Sequence, residues 1–103
     1  MGTSEVDKRK SRFEKLNNAF LLSINELERI LPKLEKITEN DYLTRYKPEV
    51  DKYLFVIADA EIRLKKIKED KVIKKHLMKE FQELKENYAA ALRIKGEIEQ
   101  NLP

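Results

Sequence analysis

Five large apolar residues stand seven apart near the start of the chain: Val6, Phe13, Phe20, Leu27 and Leu34. Leu16, Ile30 and Ile37 fall three residues later in the same register, and Ile24 and Leu31 widen the stripe. Seven residues are close to two turns of α-helix, so these side chains share one face that must be buried against other elements. The spacing predicts a helix over about 5–39, with Ser4 as N-cap, Asp7 in an acidic first turn and Asn40-Asp41 at its end. Pro32 lies inside the pattern, where proline costs roughly 3 kcal/mol. The register holds across it, which predicts one kinked helix and not two.

A second helix is expected over 41–68. Asp41 is placed to cap a first turn from Tyr42 to Tyr46, and Pro48 either starts the main helix or kinks a longer one. Val50, Tyr53, Leu54, Ile57, Ala60, Leu64 and Ile67 form one apolar face, while Phe55, Ala58 and Ile62 form another. Two neighbours can cover both faces, and any apolar surplus, Phe55, Val56 or Ile62 above all, would leave a groove for a partner helix. A third helix is expected over 71–100, capped by Asp70, with Ile73, Leu77, Phe81, Leu84, Tyr88, Ala91, Leu92 and Ile98 facing inward. No Gly or Pro separates Ile67 from Ile73, so one helix from 48 to about 100 is the alternative.

Only two residues are Gly, and no stretch alternates at period two for long enough to suggest a strand. A chain of 103 residues supports one core and not two. Short links force sequential helices antiparallel. The fold class read from the sequence is therefore all-α, an up-down-up antiparallel three-helix bundle with a coiled-coil-like first helix, in a single domain spanning 1–103. Met1-Gly2-Thr3-Ser4 reads as a cloned-in leader as readily as native chain. The abrupt start and charged end would suit a domain excised from a larger protein. The outline is similar to three-helix modules such as syntaxin N-terminal domains and spectrin-type repeats. The likeness is one of architecture, and it stops short at spectrin repeats, which usually carry a Trp in the first helix that this chain lacks.

The chain has no Cys, which removes disulfides, thiolate nucleophiles and Cys-type zinc sites. It has no signal-peptide pattern and no apolar run approaching the ~18–20 residues of a membrane span. These absences favour an intracellular setting, cytoplasmic or nuclear. No glycine-rich phosphate loop is present. His76 is the single histidine, and with Glu80 it supplies at most two ligands on one helix face. A surface histidine is the simpler reading. No tuned acid–base pair stands out, so no enzyme activity, metal, cofactor or small-molecule substrate is expected.

Charge carries more information. Residues 62–79 hold eight cations (Arg63, Lys65, Lys66, Lys68, Lys71, Lys74, Lys75, Lys79) against Glu69 and Asp70, a net +6. Residues 1–16 hold five (Lys8, Arg9, Lys10, Arg12, Lys15) against Glu5, Asp7 and Glu14, a net +2. The whole chain is only +3, so the remainder carries −5. An up-down-up bundle brings the first helix's start to the junction of the second and third helices, and both basic segments gather at one pole. The candidate binding residues are Lys8, Arg9, Lys10, Arg12, Arg63, Lys66, Lys71, Lys74 and Lys75. Tyr42, Arg45 and Tyr46 are candidates for a second interface at the opposite end, where Tyr and Arg would act as anchors; capping of the bundle is the competing role.

The expected function is non-enzymatic protein–protein interaction, as an adaptor or scaffold that docks an acidic segment or a partner helix. The alternative is an anion-binding module that contacts RNA or DNA phosphates, or an anionic membrane. Lysine predominates at the pole and no aromatic residue interleaves it, so any nucleic-acid binding would be through phosphate with little sequence preference.

Overall fold

Ser4 opens the first helix as expected: its hydroxyl accepts a hydrogen bond from the Asp7 amide (3.1 Å). The computed structural model describes residues 4–103, so most of the suggested leader lies outside the described residues. Helix α1 spans Glu5–Leu34 and buries Phe13, Leu16, Phe20, Leu27, Ile30 and Leu34 along the heptad stripe. The position between Leu16 and Ile30 in that register is Ser23, fully buried with a hydroxyl that has no hydrogen-bond partner among the described residues.

The first helix is shorter than the expected 5–39. Pro32 lacks the amide that would bond the Glu28 carbonyl, and its ring crowds that carbonyl, so the final turn is weakly held. The chain leaves the helix at Leu34, two residues on. Thr38, with an extended backbone, then caps a new helix by accepting from the Asp41 amide (3.1 Å). Thr38 therefore performs the capping expected of Asp41, and Thr-x-x-Asp was the local signal for it.

Helix α2 is the short segment Glu39–Asp41, which runs through a π turn at Tyr42–Tyr46 into α3, Lys47–Ile67. Pro48 accounts for the π turn. Its ring cannot sit against the Thr44 carbonyl of a regular helix, and the wider turn, closed by the Lys47 amide on the Tyr42 carbonyl, makes room for it. Two i,i+4 ion pairs, Asp59–Arg63 and Glu61–Lys65, run along α3, each at 3.2 Å.

Asp70 caps the next helix, its Oδ1 accepting from the Val72 (2.8 Å) and Ile73 (3.4 Å) amides. The expected single helix 71–100 is instead two, α4 (Lys71–His76) and α5 (Met78–Gln100), divided at Leu77. Leu77 is a buried core residue, and neither Gly nor Pro marks the break. At the break α4 packs on both α1 and α5. In α5 the inward face holds Ile94 (5% exposed), where the sequence reading had placed Leu92 (38%). Steps of three and four from Leu84 through Tyr88 and Ala91 reach Ile94 and Ile98, and Leu92 falls one position off that line.

Helix α1 lies between the others. Its Arg9 reaches Asp70, just past the end of α3, and its Arg29 reaches Glu49 near the start of α3. These two helices therefore run in opposite directions. Against α5 the pairings climb together: Phe13 with Phe81 (centroids 6.0 Å apart), Asn17 with Asn87 (2.9 Å) and Phe20 with Tyr88 (5.6 Å). Tyr88 also donates to Glu61 of α3 and so ties the third face. Burial, with Glu61 second, pushes the Tyr88 phenol up to about 12, while the Tyr88 hydroxyl, followed by Lys65, holds the Glu61 carboxyl below its usual range. The result is an all-helical bundle about 55 Å long, with no strand among the described residues.

Candidate functional site

The two basic segments meet through one side chain. Arg9 Nε donates to Asp70 Oδ2 (2.8 Å), and its Nη1 donates to Glu5 Oε2 (2.8 Å). Asp70 thus caps α4 and clamps the first turns of α1 at the same time. The Arg9 hydrogen bond, aided by the α4 amides, holds the Asp70 carboxyl below its usual range. Arg9 is largely covered, at 17% side-chain exposure, and both of its charge partners are within the chain. It assembles the basic end and is poorly placed to bind anything else.

The other candidates divide into two groups. Lys8, Arg63 and Lys74 are exposed but lie near Glu5 (3.7 Å), Asp59 (3.2 Å) and Glu69 (3.1 Å). Exposed pairs of this kind are worth about 1 kcal/mol or less and exchange readily for a stronger partner. Lys10, Arg12, Lys66, Lys71 and Lys75 are exposed and make no ion pair among the described residues.

The second candidate interface comes apart. Tyr42 is a core residue, 7% exposed, whose burial, with Asp51 nearby, raises its phenol above the ordinary value. It closes the end of the bundle and cannot anchor a partner. Tyr46 is half-buried, with the Lys33 ammonium 6.0 Å from its ring centre. Only Arg45 is exposed.

Sequence reasoning left open whether the second apolar face of the middle helix would be covered. It is not: Phe55 is 71% exposed and Ile62 55%. Beside them a groove of about 460 Å³ runs between α1 and α3. Leu16, Ala19, Val56, Ala60 and Ile67 floor it, Phe55 walls it, and Arg12, Lys15, Arg63 and Lys66 line it with a single acid, Asp59. Three of the nine basic-pole candidates thus belong to one concave, apolar-floored surface. The signal available in the sequence was the surplus of Phe55 and Ile62, seven residues apart and so on one side of α3.

His76 is exposed at the end of α4. Among the described residues no group of three or more His, Asp or Glu side chains is arranged to hold a metal ion. No helix is long and apolar enough to cross a membrane. Fold and surface together define an all-helical bundle with an exposed groove between α1 and α3, lined by four cations and one acid. No family model matches the chain, and no curated protein or solved structure is significantly similar to it.

Proposed function

We propose that the chain is a non-enzymatic protein-interaction domain, an intracellular adaptor or scaffold module that docks an acidic partner segment on its basic end. The supporting architecture is an up-down-up arrangement of three rods: α1, α3, and α4 with α5. The observation that carries the proposal is the Arg9–Asp70–α4 clamp, which sets the start of α1 beside the α3–α4 junction. Cations from two segments far apart in sequence then act on one surface, where like charges raise the local potential and attract a polyanion. The exposed lysines stay solvated until a partner arrives, so the surface steers association more than it supplies affinity.

The test is affinity capture from cell extract with the wild type and with Lys71→Glu/Lys74→Glu/Lys75→Glu, each with and without nuclease. An acidic protein that is retained after nuclease and lost with the charge reversal supports the reading. Capture that vanishes with nuclease points to nucleic-acid phosphate. Capture that is indifferent to the charge reversal removes the basic end from the function.

A further inference from the structure

We propose that the α1–α3 groove is the seat of one short amphipathic helix from another protein, its apolar stripe on the groove floor and Asp or Glu residues beside that stripe facing Arg12, Lys15 and Lys66. The proposal rests on the protein-interaction reading and narrows it to a surface and a partner chemistry. Two features of one surface support it. The first is shape. The α3 side of the groove is lined from Phe55 to Ile67, about 18 Å at ~1.5 Å per residue, or three helical turns. That length matches anchors at i, i+3 or i+4, and i+7. Ile62 extends the apolar wall beyond the lining, and half-exposed Leu22, one turn past Ala19, extends α1's side. The second is charge. Arg63 already engages Asp59, the groove's one acid, while Arg12, Lys15 and Lys66 have no carboxylate partner among the described residues.

Other occupants use only half of the surface. A phosphate chain would meet the cations and leave the floor wet. A bilayer is flat and does not reach into a trough. An extended peptide finds no strand edge among the described residues to pair with. An acidic amphipathic helix satisfies floor and rim together, burying the apolar residues that water now covers.

The experiment is selection from a phage-displayed library of random peptides of about 16 residues, long enough for ~24 Å of helix. Enriched peptides are retested by fluorescence anisotropy on the whole chain. The expected winners carry apolar residues at helical spacing flanked by Asp or Glu. Their affinity should fall at least about tenfold with Phe55→Ser and again with Arg12→Glu/Lys66→Glu. Phe55 is largely exposed, so Phe55→Ser keeps its fold, and circular dichroism verifies this. Acidic winners that ignore Phe55→Ser but fail on Lys71→Glu/Lys74→Glu/Lys75→Glu overturn the groove and leave the interaction reading standing. Winners indifferent to both variants, or no enrichment, overturn the groove and weigh against the broader reading as well. A dimer in sedimentation that Phe55→Ser dissociates overturns the foreign helix in favour of a second copy.

Discussion

Phe20 and Phe55 make a matched pair: the same side chain, one at the centre of the bundle and one on its surface. Replacing each with Ala separates what holds the fold from what the surface offers. Phe20 is fully buried and packs against the Tyr88 ring at 5.6 Å. Truncating such a Phe costs about 3–5 kcal/mol, transfer and cavity included. A domain of this size has roughly 5–15 kcal/mol of stability in total, so Phe20→Ala removes about a fifth of it or more. Phe55 keeps 71% of its surface in water. Full burial of a Phe is worth about 1.5–3 kcal/mol, so the buried three-tenths contributes about 0.5–1 kcal/mol. Alanine's better helix propensity returns about 0.5 kcal/mol, and the net change for Phe55→Ala is below about 0.5 kcal/mol. Urea unfolding followed by helical circular dichroism measures both. With a slope of about 1–3 kcal/mol per molar, the midpoint falls by roughly 2 M for Phe20→Ala and by less than about 0.5 M for Phe55→Ala. Equal shifts, or a larger one for Phe55, would refute both the assignment of the core and the freedom of the α3 outer face.

Four further outcomes follow from single positions. Gly96 is helical, and a Cβ there would meet nothing within 4 Å. Gly96→Ala should therefore stabilise by about 1 kcal/mol, raising the calorimetric Tm by about 4–8 °C. Ser23 buries a hydroxyl that has no partner among the described residues, so Ser23→Ala should raise the urea midpoint, by about 1 kcal/mol in free energy, where most buried truncations lower it. Tyr88 has its folded pKa raised from 10.0 to about 12. Its contribution is complete below pH 10 and is lost as pH rises toward 12, so wild type should lose more stability across that window than Tyr88→Phe, compared by thermal melts. Asp70 has its folded pKa lowered below 3.8 by Arg9 and the α4 amides. The stability it supplies is present above pH 3.8 and lost as pH falls through the folded value, and Asp70→Asn should flatten that acid limb of the melt profile.

The helical character of the chain and the buried face of its first helix were written in periodicity. The stripe Phe13, Phe20, Leu27 and Leu34 is strong enough to specify α1 and its buried face, and Ser4 and Asp70 announced their helix starts by residue type. Where packing competes with local signals, the sequence misleads. No Gly or Pro near Leu77 marks the break, which falls where α4 packs on both α1 and α5. The sequence reading put Leu92 on the inward face of α5, although steps of three and four from Leu84 lead to Ile94, which is the buried residue. The π turn before Pro48 is a local event, yet its form depends on how the chain enters α3. The site shows the same division. Charge counting found the basic segments, and only the folded chain revealed that Arg9 is used internally, that Tyr42 is core, and that Arg12, Arg63 and Lys66 border an apolar trough.

The most direct test is amide chemical-shift mapping of the ¹⁵N-labelled chain titrated with the acidic segment of the captured partner. Docking on the basic, grooved end predicts shifts concentrated in residues 9–19 of α1, 55–67 of α3 and along α4, all weakening as salt is raised. Shifts centred instead on the outward face of α5 or the Tyr42–Tyr46 turn, or an affinity that salt leaves unchanged, would contradict it.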